Sequence, residues 1–421
     1  MQSSRVLTEI KSAEPVPVYG DNLPLSEPPP LSRLGALGLI RACDKRLPEL
    51  LARARAARDR FKPGVITYSR KVFIPLTNLC RDYCGYCTFR RDPNQPGAHT
   101  MSPDEVLNVA RAGQKLGCTE ALFSLGDKPE LVFPEMRERL RNLGYRSTLH
   151  YLEAMCELVL RETTLLPHPN PGLMSAEWIT RLARVSPSMG LMLETTNESL
   201  LRAGAAHHNA PDKLPLKRLR TIEEAGKQAV PFTTGILIGI GESLEDRVDA
   251  LLAIRDLHQR YGHIQEVIIQ NFRVKPEIPM SGWAEPSRGE LLRTIAVARL
   301  LMPDVNIQAP PNLSDPNYEE LLDAGINDWG GVSPLTPDFI NPERPWPHLQ
   351  QLAARTRAKG FELMQRLPVY PEFLPRLFGT GAPAISGPAT GTYRSEEPGS
   401  ALLRSRLTTI ADDHGYARSA A

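Results

Sequence analysis

The feature that most restricts what this chain can become is a trio of cysteines set directly after an apolar run. Val72-Phe73-Ile74-Pro75-Leu76 leads into Asn78-Leu79-Cys80-Arg81-Asp82-Tyr83-Cys84-Gly85-Tyr86-Cys87-Thr88-Phe89, a C-x3-C-x2-C spacing. One disulfide among these thiols would strand the third, so the economical reading is a metal cluster. A cubane of four irons and four sulfides needs four ligands; this segment supplies three and leaves one iron open to a small molecule. A structural zinc site is the alternative, because C-x2-C is also zinc spacing. Zinc wants a second, closed pair of ligands, however, whereas Cys43, Cys118 and Cys156 are scattered singly. His207-His208 is the sole histidine pair and nothing marks it as the missing half.

Around this loop the hydrophobic pattern alternates between strand and helix. Strands are expected at 71–76, 121–125, 164–167, 190–193, 232–240 and 265–271, separated by helices at 103–116, 130–143, 147–162, 175–184, 215–229 and 243–261. Ser102-Pro103-Asp104-Glu105 is a helix start, with a cap, a first-turn proline and acidic residues. Such alternation predicts a parallel sheet with right-handed crossovers, whose chemistry sits in loops at the C-terminal strand ends. The cysteine loop occupies one of those ends.

The expected organisation is a flexible Pro-rich arm over 1–32, a helical lead-in over 33–63, a barrel over 64–300, a C-terminal extension closing it over 301–377, and a disordered tail over 378–421. Pro48 is expected to split the lead-in into two helices, and Arg53, Arg55, Arg58 and Arg60 to form a solvated face. After about 286, a helix from 287 to 302 should lead to a strand at 305–308, a short helix near 317–324 and a helix from Trp346 to Arg366. With 50 basic against 48 acidic residues the net charge is +2, so no field drives nucleic-acid binding. No apolar run approaches the roughly 20 residues of a membrane span, and the first residues lack a signal-peptide plan. Six cysteines with three in one loop point to a reducing, cytoplasmic setting rather than a disulfide framework.

The cysteine spacing, with aromatic Tyr86 before the last cysteine, resembles the radical S-adenosylmethionine (SAM) enzymes. The resemblance implies a partial (β/α)6 TIM-type barrel and a 4Fe-4S cluster on Cys80, Cys84 and Cys87. It also implies SAM chelated by the open iron and cleaved to a 5′-deoxyadenosyl radical. Tyr86, Gly126 and Asp127 in Ser124-Leu-Gly-Asp-Lys-Pro-Glu130, Glu194 at a strand end, Gly239 within Gly235–Glu242, and Gln270 then become candidate SAM contacts.

Phe73–Arg90, Ser124–Glu130, Pro167-His-Pro-Asn-Pro-Gly172 and Gly330-Gly-Val-Ser-Pro-Leu-Thr-Pro-Asp338 together resemble the ring-closing subunit family of the deazaflavin (FO) synthases, over roughly 65 to 365. One C-x3-C-x2-C suggests a separate subunit rather than a fused enzyme. That family implies a companion radical SAM subunit, which joins a tyrosine-derived 4-hydroxybenzyl group to 5-amino-6-(D-ribitylamino)uracil. The present chain would abstract hydrogen from the adduct, 5-amino-5-(4-hydroxybenzyl)-6-(D-ribitylimino)-dihydrouracil. Ring closure with loss of ammonia and a further oxidation would then give the chromophore of coenzyme F(420). A low-potential donor such as flavodoxin or ferredoxin is implied as well. His168, Asn170, Gln308, Asn312 and Asp328 are candidates for orienting that substrate, although Asn170 between prolines and Asp328 also suit plain turn roles. No general base is singled out. Two alternatives stay open: a related radical SAM branch, either menaquinone-pathway or biotin-synthase-like (without the second cysteine group of the latter), and a non-enzymatic iron–sulfur or zinc protein.

Overall fold

Strand β1, Val65–Thr77, carries the alternation on which the rest is built. Its even positions Ile66, Val72, Ile74 and Leu76 are buried in the hydrocarbon layer beneath the helices, while Thr67, Ser69 and Lys71 bond to groups in the lumen. The computed structural model describes residues 31–314, 316–378 and 398–418, so almost all of the expected arm lies outside the described residues. Eight further strands follow: β2 Glu120–Leu125, β3 Leu166–Asn170, β4 Met189–Gly190, β5 Phe232–Ile238, β6 Ile264–Asn271, β7 Asn306–Gln308, β8 Asp328–Val332 and β9 Glu362–Arg366. Eight run in the order β3-β2-β1-β8-β7-β6-β5-β4 with every pair parallel, and β9 pairs with the first half of β1.

This is the expected partial TIM-type barrel. The six barrel strands foreseen in sequence are β1 to β6, the strand expected at 305–308 is β7, and β8 completes the wall between β7 and β1. The hydrogen-bonded wall is open only between β3 and β4. Helices pack outside, and their starts are those the sequence marked. Ser102, Ser243 and Ser287 each close a capping box, with Glu105, Asp246 and Glu290 respectively.

Several local expectations need correction. Residues 346–366 are not one helix: Leu349–Ala358 is helical, Gly360 takes φ +87°, and Glu362–Arg366 becomes β9. Residues 328–331, left without a strand assignment, form most of β8. A Cβ on Gly330 would lie 2.1 Å from the Gln308 amide and one on Gly331 2.4 Å from Lys71, so the glycines make room for lumen side chains. Within the supposed tail, Pro398–Ile410 is a helix whose Leu403 and Leu407 are buried in a second core with Leu160, Leu166, Leu367 and Phe373. Residues 379–397 lie outside the described residues. Arg58 is not solvated: it is buried, donates to the Leu322 carbonyl and lies over the Phe361 ring.

The lowest lumen layer is ionic. Arg366 Nε donates to Asp328 Oδ2 at 2.7 Å, and its Nη2 to Glu266 Oε1 at 2.8 Å. Lys71 Nζ meets Glu120 Oε1 at 2.6 Å, and Tyr370 donates to Glu266 at 3.0 Å. Removing one partner from such a layer leaves buried charge uncompensated, which costs about 3–5 kcal/mol. Arg366→Met is therefore expected to lower the unfolding free energy from urea titration by that amount at neutral pH, with partial recovery on adding Asp328→Asn. A loss below about 1 kcal/mol, the scale of an exposed pair, would contradict a desolvated floor.

Candidate active site at the cysteine loop

The cysteine loop lies on the C-terminal end of β1, held by contacts that only a glycine permits. Gly126, just beyond β2, donates to Thr77 O at 2.9 Å. A Cβ there would sit 1.9 Å from Leu79 O and 2.6 Å from Cys80 Cβ. Cys80 Sγ in turn accepts the backbone N–H groups of Asp127 at 3.2 Å and Asp82 at 3.4 Å. On its far side the loop is stitched down by Gly85 N–H to Ala206 O at 2.7 Å and Met280 N–H to Gly85 O at 3.1 Å. Tyr86 is buried with Leu200, Ala206, Leu237, Phe272 and Met280, and Cys84 and Cys87 pack against this cluster.

All six cysteines are free. Burial pushes the Cys80 thiol up to about 12 and Cys84 well above its ordinary value. A bound metal centre reverses that preference by stabilising thiolate. Among the described residues, the ligand atoms of Asp82, Asp127 and Asp212 lie close together, all within 4.8 Å of one another.

Two cavities meet under the loop. The first, about 280 Å³, is lined by Cys80, Cys84, Cys87, Tyr86, Gly126, Asp127, Glu194, Lys213 and Arg218, among others. The second, about 300 Å³, runs down the lumen past Phe73, His168, Gln308 and Trp346 to Lys71, Glu120, Glu266 and Arg366. Phe89, Leu125, Asn170, Met192, Gln270 and Ile340 belong to both linings, so they form the junction.

Glu194 sits in the left-handed region at φ +66°, which turns its carboxylate into the first cavity. Oε2 takes the Tyr86 hydroxyl and His207 Nε2 at 3.0 Å, and Oε1 takes Lys213 Nζ at 2.5 Å. Burial alone would raise this carboxyl, but Lys213, His207 and Arg218 hold it well below the usual range. Asp82 is pushed up to about 6 by burial, with the Asp212 N–H and Lys213 opposing and the neighbouring Asp127 and Asp212 carboxylates assisting.

Of the sequence candidates, the three cysteines, Tyr86, Gly126, Asp127, Glu194 and Gln270 converge on the first cavity, while His168, Asn170 and Gln308 line the second. Three line neither. Gly239 lies in the turn after β5 at φ +89°, its N–H bonded to Glu242, and Leu237 faces the cavity instead. Asn312 Nδ2 is bonded to Asp338 and the Arg344 carbonyl. Asp328 is occupied by Arg366 and the Gly330 N–H. Sequence reasoning missed Lys213, Arg218, His207 and Met192. None stands in a recognisable motif; topology alone brings 207–218 over the end of β4.

The Radical SAM superfamily model matches residues 74–254. FO synthase of Streptomyces coelicolor is 52% identical over 377 residues, covering 85% of this chain and 43% of that protein. The 7,8-didemethyl-8-hydroxy-5-deazariboflavin synthase of Methanopyrus kandleri is 48% identical over 354 residues, covering 84% of this chain and 100% of that protein. This chain belongs to the FO synthase family of radical SAM proteins.

The chain thus spans about two fifths of the actinobacterial FO synthases it matches and the full length of the archaeal one. Methylornithine synthase shares the fold with a TM-score of 0.63 at 17% identity, over 87% of this chain and 98% of that one. The FeFe-hydrogenase maturase HydG of Carboxydothermus hydrogenoformans does so with 0.64 at 19%, over 97% and 90%. Radical SAM membership implies a 4Fe-4S cluster and SAM. Three free thiols on one loop, all lining the first cavity, fit that requirement. As in the expectation from composition, none of the described helices is long and apolar enough to cross a membrane.

Because the Gly126 contact fixes the loop, Gly126→Ala must displace Leu79 and Cys80. The overpacking cost is about 1–3 kcal/mol. The chain is expected to stay folded by circular dichroism while retaining markedly less iron after anaerobic reconstitution. Full iron content would show that the loop does not depend on this contact.

Proposed function

We propose that this chain closes the deazaflavin ring: it takes a 4-hydroxybenzyl–ribityliminouracil adduct and yields 7,8-didemethyl-8-hydroxy-5-deazariboflavin with release of ammonia. The observation carrying this reading is the pair of adjoining cavities, one rimmed by free cysteines and one lined by unpaired amides and an imidazole. It is supported by similarity over the full length of an archaeal protein named for that product. In this reading Cys80, Cys84 and Cys87 would hold the cluster and leave it able to bind SAM at the first cavity. When bound, cluster and SAM together would supply a 5′-deoxyadenosyl radical to take one hydrogen atom from the adduct and an acceptor for one further electron, so that loss of ammonia, a hydrogen atom, an electron and a proton carries the adduct to the deazaflavin.

The chain's own residues position and shield. Glu194 Oε2 is filled by Tyr86 and His207, while Oε1 has only Lys213 as a close partner, leaving room for a ribose hydroxyl. Lys213 and Arg218 put positive charge beside the cluster loop, suited to a carboxylate such as that of SAM. Asn170 and Gln270 stand at the junction, where both cosubstrate and substrate are within their reach. Residues 333–346 close the mouth: Thr88 Oγ1 donates to Ile340 O at 2.7 Å, Phe73 N–H to Thr336 Oγ1 at 2.9 Å, and Trp346 stacks on Phe73 at 5.2 Å. Exclusion of water and near-attack alignment are what a radical abstraction needs. The adduct would come from a companion radical SAM protein and the electron from a low-potential donor of the flavodoxin or ferredoxin kind.

The test is anaerobic reconstitution followed by SAM, reductant and adduct. A fluorescent deazaflavin with 5′-deoxyadenosine is expected. Deoxyadenosine without deazaflavin would overturn the substrate. Cys80→Ala, Cys84→Ala and Cys87→Ala should each abolish SAM cleavage with the barrel intact, and normal turnover in any one would refute the three-ligand assignment.

A further inference from the structure

The second cavity contains a histidine whose protonation pattern can be deduced from its neighbours. His168 stands in the middle lumen layer on β3, opposite Leu122 in the register, and is buried. Its Nδ1 lies 2.7 Å from Ser188 Oγ, and Ser188 Oγ lies 2.6 Å from the Pro368 carbonyl oxygen. A carbonyl can only accept, so the serine proton points at Pro368. Ser188 Oγ is then left as an acceptor, and the hydrogen between it and the imidazole must belong to Nδ1. In a neutral ring that assignment leaves Nε2 as a bare lone pair. Nε2 has no partner among the described residues, and it is absent from the sealed polar atoms, so it opens on the cavity that the ring lines.

We propose that His168 is the acceptor that fixes the substrate's pyrimidinedione ring, taking a hydrogen bond from its imide N–H at Nε2. This rests on the deazaflavin-forming reading above and specifies how that site tells its ligand apart. The other lumen groups favour the imide over other donors. An imide edge alternates acceptor, donor, acceptor. The Asn170 and Gln308 side chains line the same cavity with no side-chain hydrogen bond among the described residues, so they can supply the flanking N–H groups. The floor carboxylates, by contrast, are engaged by Lys71 and Arg366. The tautomer is also protected. Burial pushes the imidazole down to about 4, with Glu120 opposing and Lys71 and Arg366 assisting, so the lone pair stays available across neutral pH.

The experiment uses the reconstituted holoenzyme and two probes: the deazaflavin product, whose ring keeps the imide N–H, and the same deazaflavin methylated on the imide nitrogen. Binding is read by fluorescence anisotropy. Wild type is expected to prefer the N–H probe by about ten- to hundredfold, the scale of a buried acceptor left unpaired, with a preference constant from pH 6 to 8. His168→Phe should weaken the N–H probe by a similar factor and leave the methylated probe unchanged. His168→Gln, which keeps an acceptor near Nε2, should restore most of the discrimination. Equal binding of the two probes by wild type overturns the assignment without recourse to any variant. So does a preference that survives in His168→Phe. Failure of wild type to bind either probe removes the deazaflavin reading itself and the assignment with it.

Discussion

A parallel barrel is ordinarily filled by layers of its own side chains, with branched hydrocarbon dominating. In this chain the lowest layer closes with charge: Arg366 between Asp328 and Glu266, and Lys71 on Glu120. Each of these ions is buried, and each has a close partner of opposite sign, so the desolvation cost of taking them out of water is offset locally. Long polar side chains that satisfy one another make a floor without needing anything above them. The upper layers are then free to carry shorter, incompletely paired groups, and the lumen above the floor remains a cavity. Without that ionic layer, the same backbone would need hydrocarbon where the ligand is proposed to lie.

Charge also distinguishes the two cavities. The floor of the second sets two cations against three carboxylates that they engage, which leaves an excess of negative charge poor for a phosphate. The first cavity brings Lys213, Arg218 and Lys275 beside the cysteine loop, together with Glu194 and two buried aspartates. Such mixed surroundings suit a zwitterionic amino acid end and a negatively charged inorganic cluster. Under the proposed function, a neutral polyol-bearing heterocycle and a sulfonium amino acid would thus find different electrostatic homes only a junction apart.

The alternation of strands and helices was legible because the strands keep their hydrocarbon on the helix side, and three of the long helices announce their starts with serine and an acidic residue, at Ser102, Ser243 and Ser287. Strand β8 was not, because Gly330 and Gly331 remove the side chains that would reveal its period, for reasons set by Gln308 and Lys71 on other strands. Strand β9 was hidden in a helical pattern that a single glycine, Gly360, interrupts. The cysteines were readable from spacing alone, since metal chemistry there is local in sequence. Lys213 and His207 were not, because their meaning depends on meeting Glu194 in space. Asp328 misled in the opposite way: a polar residue at a strand start looks like a ligand contact, and its partner Arg366 lies 38 residues on. The family resemblance supplied the chemistry, but only the folded lumen separates residues that face a ligand from those that face one another.

The cysteine loop and the cover of the substrate cavity are one mechanical unit. Thr88, next to Cys87, donates to the Ile340 carbonyl, and Phe89 lies against Phe339 with ring centroids 6.3 Å apart. The same cover is pinned to β1 through Thr336 and through Trp346 on Phe73. A shift of the 333–346 segment must therefore strain the loop that carries the cysteines, and a loop correctly seated on Gly126 holds the cover at its proper height. Alignment of a radical centre with one C–H bond tolerates little slack, since an error of about 1 Å is enough to cost two orders of magnitude in rate. In the proposed reaction, tying both sides of that alignment to a single short segment would remove the slack.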